Sequence, residues 1–159
     1  MRFFLFLFLF TTVFTDASYA ARVKVVDGDS LEIDGVRIRL EGIDSPEYGQ
    51  SCFSGTGEKY YCGDESYYYL KNLVKDRHLI CVESGRDKYN RSLCECFVDD
   101  ENDKRINVNE QMVKSGWAVA YRNKNKLYKN AEKYAKKHRI GMWQGKFMKP
   151  ELQRILYGR

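Results

Sequence analysis

The feature that most restricts how this chain can fold is a pair of short alternating runs on either side of Asp34-Gly35. Apolar residues recur at every second position through Val23 and Val25, then Leu31 and Ile33, then Val36, Ile38 and Leu40, the period of a strand with one buried face. Asp-Gly is a strong two-residue hairpin signal, because a type I′ turn needs positive φ at both central residues. Such a turn sets Ile33 opposite Val36 and Leu31 opposite Ile38, so that one face is apolar while Arg37 and Arg39 take the other. The same register carries the Asp29 end of one strand beside Arg39 on its neighbour.

After this hairpin a long loop rich in Gly, Ser and Tyr leads to a predicted helix at 64–75, with Leu70, Leu73 and Val74 on its apolar side. Strands are expected at 78–83 and 92–98, joined by a polar loop. Asn107 is the expected N-cap of a helix that carries Val108, Met112 and Val113 on one face and ends at Ser115-Gly116. Another helix is expected at 127–138, stopped by Gly141, with Trp143 packing back on the domain. The tail to Arg159 reads either as a short amphipathic piece or as a frayed end. No repeat, low-complexity linker or domain boundary interrupts the chain, which reads as one domain, mainly β with helices.

The first 20 residues have the pattern of a secretory signal: Arg2, an apolar run from Phe3 to Phe10 extending to Phe14, and small residues ending in Ser18-Tyr19-Ala20. Cleavage after Ala20 leaves a mature domain at 21–159, exported to the periplasm or the medium, free of stable membrane association and monomeric. An uncleaved anchor is the competing reading. The run is shorter than the roughly 20 residues a span needs, and Asp16 would have to lie in lipid. Past the signal the charge is split: residues 22–103 hold 11 basic against 18 acidic side chains, whereas residues 104–159 hold 15 basic against 3 acidic. The first part can hold cations and the second can meet a polyanion, although a solvated helix surface explains a basic half equally well.

Chemistry concentrates in two clusters that bracket the hairpin. Asp27-Gly28-Asp29-Ser30 precedes it, and the stretch from Arg39 through Glu41, Asp44, Ser45 and Pro46 to Glu47 follows it. Either alone is an ordinary turn sequence; together they bring carboxylates and an arginine to one end of a strand pair. A hard divalent cation takes oxygen ligands, which Asp29 and Asp44 can offer from adjacent strands, and Pro46 helps fix the turn that aims Glu47 at the same point. A third cluster of interest is Asp87-Lys88-Tyr89-Asn90-Arg91. Attack on a phosphodiester puts negative charge on the phosphoryl oxygens, and two guanidiniums with a dication answer that charge directly. Arginine suits the role because its planar fork binds two oxygens at once.

In this order and spacing the motifs resemble the staphylococcal nuclease, or thermonuclease-like, family: a D-G-D-[ST] turn at 27–30, R-L-x-x-[VI]-D-[ST]-P-E at 39–47, and D-K-Y-x-R at 87–91. Further similarity runs through Asn109-Glu110, Gly116-Trp117-Ala118 and Ala120-Tyr121 to Gly141-Met142-Trp143. The resemblance implies a five-stranded OB-fold β-barrel with about three α-helices. It implies a secreted, calcium-dependent nuclease hydrolysing phosphodiester bonds of DNA or RNA. It assigns the metal to Asp29, Asp44 and the main-chain carbonyl of Ser45, activation of water to Glu47, and the phosphate to Arg39 and Arg91. Ser45 stands where the best-known relative has threonine, which a main-chain ligand tolerates. Lys88, Tyr89 and Tyr121 fall near the family's substrate-contacting positions, with packing the competing role for Tyr121. The runner-up is an OB-fold module that binds nucleic acid or protein without catalysis, and a third reading is a secreted interaction protein working through its Tyr-rich loop.

Five cysteines, Cys52, Cys62, Cys81, Cys94 and Cys96, leave at least one thiol odd if the chain matures in an oxidising compartment. Cys52 and Cys62 flank one Gly-rich loop, and Cys81 lies on the strand expected to pair with the one holding Cys94 and Cys96. Bridges Cys52–Cys62 and Cys81 to one of the other two are therefore expected, against buried free thiols as the alternative. Tyr67, Tyr68 and Tyr69 read as core and rim of the first helix, and His78 and His138 as surface residues.

Overall fold

The hairpin forms in the expected register. A computed structural model describes residues 21–102, 104–122 and 126–158, so the signal segment 1–20 and its cleavage point lie outside the described residues. Strands β1 (Val23–Asp27), β2 (Ser30–Ile33) and β3 (Val36–Leu40) run antiparallel in sequence. Ile33 faces Val36 and Leu31 faces Ile38, and the turn residues Asp34 and Gly35 take φ of 48° and 85°, as a type I′ turn requires. Leu31, Ile38 and Leu40 are buried, while Arg37 is exposed and Arg39 half-buried on the other face.

The short β4 (Ile43–Asp44) leaves this sheet, and the insertion after Glu47 forms its own antiparallel pair, β5 (Ser51–Phe53) and β6 (Lys59–Tyr61). Helix α1 (Cys62–Val74) starts two residues before its expected position. β7 (Leu79–Arg86) and β8 (Ser92–Asp99) pair antiparallel with an irregularity between Glu83 and Gly85, and β9 (Arg105–Asn107) adds to β8. β8 also lies parallel to β3, Arg39 facing Leu93 and Leu40 facing Cys94. The strand order β1-β2-β3-β8-β7, with β3 and β8 parallel, is that of an OB fold. Its end strands β1 and β7 face each other across a cleft of about 900 Å³ lined by Val23, Val25, Val74 and Leu79.

Helices close the core. α2 (Val108–Lys114) is capped as expected, Asn107 accepting the N–H of Glu110, and β10 (Val119–Ala120) pairs with β4. α3 (Lys126–His138) is followed by a 3-10 turn (Gly141–Gln144) and by α4 (Pro150–Tyr157). Among the described residues there are thus four α-helices where about three were expected, because the tail folds from Pro150 rather than fraying. Leu70 and Val74 of α1, Val108, Met112 and Val113 of α2, and Tyr128 and Ala131 of α3 meet the hairpin and Cys94, Cys96 and Val98 of β8. Each fully buried Leu, Ile, Val or Met side chain contributes about 1.5–3 kcal/mol. No helix among the described residues is long and apolar enough to cross a membrane.

Both expected bridges form: Cys52–Cys62 and Cys81–Cys96. Cys81 faces Cys96 directly across the β7–β8 ladder, whereas Cys94 faces Glu83, so register selects between the two candidates. Cys94 stays a buried free thiol, its pKa pushed up by burial with help from Glu83 and Glu41, which keeps it protonated and inert near neutrality. His78 and His138 are exposed, and the tyrosine run of α1 divides between half-buried Tyr67 and Tyr69 and exposed Tyr68, as a core-and-rim role requires.

Candidate active site

The first cluster is shaped by a tight backbone approach. Asp27 accepts the N–H of Asp29 at 3.0 Å, turning the chain between β1 and β2 at Gly28. A Cβ at Gly28 would overlap the side chains of Ser66 and Ser45, so glycine is what lets α1 and the Asp44-Ser45 segment close over Asp29. Asp29 is buried there, with Oδ2 accepting the N–H of Ser45 at 3.0 Å and Oδ1 accepting from Ser30 Oγ at 3.0 Å.

Arg39 ties the two halves of the site together. Its Nη1 donates to Asp29 Oδ1 at 2.8 Å, and its Nη2 donates to Asp44 Oδ1 at 3.0 Å. The contact between Asp29 and Arg39 follows from the hairpin register, which sets Ser30 opposite Arg39. Asp44 does not come from a strand adjacent to Asp29, as the sequence suggested. Asp29 lies in the β1–β2 turn, and Asp44 lies on β4, whose partner is β10. The tight bend at Gly42, with φ of 76°, swings β4 off the sheet and brings Asp44 back over Arg39.

Arg91 is held by its own motif. Asp87 Oδ2 accepts from Arg91 Nε at 2.8 Å and pairs with Nη2 at 2.7 Å, while Asp87 Oδ1 accepts the N–H groups of Tyr89 and Arg91 at 2.9 and 3.0 Å. That leaves Arg91 Nη1 aimed at Ser30 Oγ, 3.5 Å away, and Ser30 in turn bonds Asp29. The two arginines therefore stand at one mouth, linked through Ser30 and Asp29. Tyr89 is 65% exposed beside them, with Lys88 Nζ 4.9 Å and Arg91 Cζ 5.6 Å from its ring centre.

Glu47 follows buried Pro46, three residues after Asp44. Its N–H donates to Gln50 Oε1 at 3.1 Å, and Gln50 Nε2 reaches the carbonyl of Met148 at 2.9 Å. A Cβ at Gly63 would overlap the Glu47 carbonyl, so the start of α1, fixed by the Cys52–Cys62 bridge, packs directly on the Glu47 backbone.

One residue at the site carried no signal in the sequence. Arg154, on α4, donates Nη1 to Glu47 Oε1 at 3.0 Å and Nη2 to both oxygens of Asp44 at 2.8 and 3.0 Å. Asp87 was part of a recognised motif, but only the folded turn shows it orienting Arg91. Tyr121, expected near substrate, donates its hydroxyl to Glu151 of α4 at 2.8 Å and is stacked by Arg122 at 4.8 Å.

The electrostatics follow from burial. Desolvation pushes the carboxyl of Asp29 well above the usual carboxylate range, with Arg39 opposing and Asp27 adding. Asp44 is raised for the same reason, against the pull of Arg154 and Arg39. Both guanidiniums are driven upward despite burial, Arg39 by Asp29 and Asp44, Arg154 by Asp44 and Glu47. Two carboxylates out of water thus favour any positive charge placed between them. The oxygens gathered here, from Asp29, Asp44 and the main chain, are of the hard kind that suits calcium. Among the described residues no three His, Cys, Asp or Glu side chains group into a metal cage, so main-chain and water oxygens would complete a shell.

Comparison with known proteins places these features in context. The model of the staphylococcal nuclease homologue family matches residues 37–145. The chain is 38% identical over 125 residues to a succinoglycan biosynthesis protein, ExoI, of Rhizobium meliloti, covering 77% of this chain and 63% of that one. It is 30% identical to an uncharacterized endonuclease of Haemophilus influenzae, covering 76% and 64%, and 28% identical to a micrococcal nuclease of Shigella flexneri, covering 76% and 71%. The match thus spans just under two thirds of the first two of these relatives. With the OB-fold strand order, the paired motifs around Asp29, Arg39 and Arg91, and a family match over most of its length, the chain belongs to the staphylococcal nuclease homologue family.

Proposed function

We propose that this chain is a metal-dependent nuclease that hydrolyses phosphodiester bonds of DNA or RNA. The observation that carries the reading is the convergence of Arg39, Asp29, Asp44 and Arg91 at one mouth, with Glu47 joined to Asp44 through Arg154. Relatives named as endonuclease and micrococcal nuclease support it. Arg91, with two of its nitrogens fixed on Asp87 and Nη1 held only at 3.5 Å, is preorganised to donate to a phosphate oxygen. Arg39, anchored by two carboxylates, presents a second cation beside it. Together they meet the charge that develops on the phosphoryl group in the transition state. Glu47 accepts the proton of the attacking water as general base.

Asp29, Asp44 and the main-chain carbonyl of Ser45 would hold a calcium ion, which when bound polarises the phosphoryl oxygen and adds counter-charge. Tyr89, exposed beside Arg91, offers a ring on which a base can stack without sequence preference, and Lys88 adds a phosphate contact. Tyr121, fixed on Glu151, serves the site from its edge. Residues 1–20 act as a signal, so the mature enzyme is exported, monomeric and stabilised by its two bridges.

The test is single substitution at three positions. Glu47→Ser, Arg39→Ala and Arg91→Ala should each lower cleavage by about a hundredfold or more, the scale of a lost general base or charge stabiliser, while circular dichroism shows a folded protein. Near-normal rates in Glu47→Ser and Arg39→Ala at saturating calcium would overturn the assignment and favour an OB-fold binding module.

A further inference from the structure

Helix α4 is held in an unusual way. Pro150 is buried at its start, but Leu152, Ile155, Leu156 and Tyr157 are all exposed, Ile155 at 72%. What fixes the helix is polar: Glu151 receives the hydroxyl of Tyr121 and the guanidinium of Arg122, and Arg154 enters the site. An eight-residue helix is marginal by itself in water. Its position therefore depends on those few contacts, and the strongest of them end on Asp44 and Glu47.

The oxygens that Arg154 occupies are the ones the proposed mechanism needs. Asp44 gives both of its oxygens to Arg154 Nη2 while Oδ1 also serves Arg39, and Glu47 gives Oε1 to Arg154 Nη1. A guanidinium seated between two carboxylates supplies the positive charge that their burial demands. It also takes up the lone pairs that a dication would use and blocks the carboxylate that would accept a proton from water. Arg154 is 26% exposed at its side chain, and a cavity of about 210 Å³ lined by Glu47, Gln50, Gln153, Arg154 and Tyr157 lies alongside, so the helix has room to leave. α4 also lies beyond the residues 37–145 that match the family.

We propose that Arg154 is an internal occupant of the cation seat, and that α4 is a latch which the dication must displace before the site can work. The proposal rests on the calcium site put forward above. In the latched form Asp44 is neutralised and Glu47 is paired; binding of the dication between Asp29 and Asp44 expels the guanidinium, breaks the Arg154–Glu47 pair and releases the helix. Calcium affinity is then lower than the carboxylates alone would give, by the factor with which the latch favours its closed state.

Calcium titration calorimetry on the full mature chain, wild type against Arg154→Gln, measures that factor without reference to activity. The variant should bind calcium about tenfold or more tightly, the scale of losing a charge-assisted competitor. Hydrogen exchange on the wild type gives an independent readout: saturating calcium should speed exchange at Gln153 and Gly158, whose N–H groups bond Lys149 and Arg154 carbonyls, while the β2–β4 region becomes more protected. If the variant does not fold, the exchange result decides alone. Equal or weaker calcium binding by the folded variant, or α4 protection unmoved by saturating calcium, overturns the latch and leaves the calcium site standing. If neither protein binds calcium, the calcium site falls and the latch falls with it.

Discussion

Replacing Asn109 by alanine tests whether the site is held in shape by a single buried amide. Asn109 sits at the start of α2 and is fully buried. Its Oδ1 accepts the N–H of Cys96 at 3.0 Å, and its Nδ2 donates to the carbonyls of Glu41 and Cys94 at 2.9 and 3.0 Å. It therefore joins α2 to β8 and to the bend between β3 and β4, the bend that carries Arg39 on one side and Asp44 on the other. Alanine strands the N–H of Cys96 and the carbonyl of Glu41; Cys94 keeps the N–H of Glu41 as a donor. Two unsatisfied buried groups cost about 1–3 kcal/mol each, and the vacated volume adds to this, for a total of about 3–5 kcal/mol. A domain of this size is stable by about 7–20 kcal/mol, so the variant still folds. Its urea midpoint should fall with an unchanged slope, and its melting temperature should drop by about 10–20 °C. Cleavage should fall as well, because Asp44 and Arg39 lose their shared support. A destabilisation under about 1 kcal/mol would refute the claim that this amide organises the bend.

Three further outcomes follow from the same geometry. Asp87→Asn should lower cleavage by about tenfold or more while leaving the fold intact, since Arg91 loses its charged anchor. Burial alone would raise the carboxyl of Asp87, but the Arg91 and Tyr89 N–H groups and the Arg91 guanidinium outweigh it and lower the pKa. The stability that Asp87 adds over asparagine is accordingly full above its unfolded value of about 3.9 and lost as pH falls through its depressed native value, a difference that acid denaturation of the two proteins measures. Reducing Cys52–Cys62, whose partners are 10 residues apart, or replacing both by serine, should cost about 2–3 kcal/mol in thermal or denaturant melts. Gly63→Ala forces the α1 start away from the Glu47 carbonyl and should destabilise by about 1–3 kcal/mol, with cleavage reduced more than in a control such as Gly35→Asn at the solvent-exposed turn.

Local signals carried much of this structure. Asp34-Gly35 and the alternation around it set the hairpin register, which placed Asp29 beside Arg39 before any long-range contact was known. Asn107 capped the helix it was expected to cap. What escaped were contacts between segments far apart in sequence. Arg154 lies 107 residues from Glu47, and nothing in the Leu152 to Tyr157 stretch distinguishes an arginine that enters a carboxylate pocket from one on a solvated face. Cys94 and Cys96 point to the same side of β8, so only the pairing register across β7 could choose between them. The origin of Asp44 was misplaced for a related reason: the bend at Gly42 sends β4 to β10, a partner 75 residues downstream of Asp44, which strand alternation does not reveal. The β5–β6 pair was hidden because three-residue strands in a polar insertion lack a readable period.

The central claim is that the carboxylates and arginines at this mouth hydrolyse phosphodiesters with the help of a hard dication. The most direct measurement follows cleavage of plasmid DNA and of a long RNA by the purified mature chain in calcium, in zinc, and after exhaustive chelation, with Asp29→Ala run alongside. The account predicts strand cleavage in calcium, little in zinc, none after chelation, and a higher calcium requirement in Asp29→Ala. Cleavage that persists undiminished without metal, or a wild type that cuts neither nucleic acid at any calcium concentration, would contradict it.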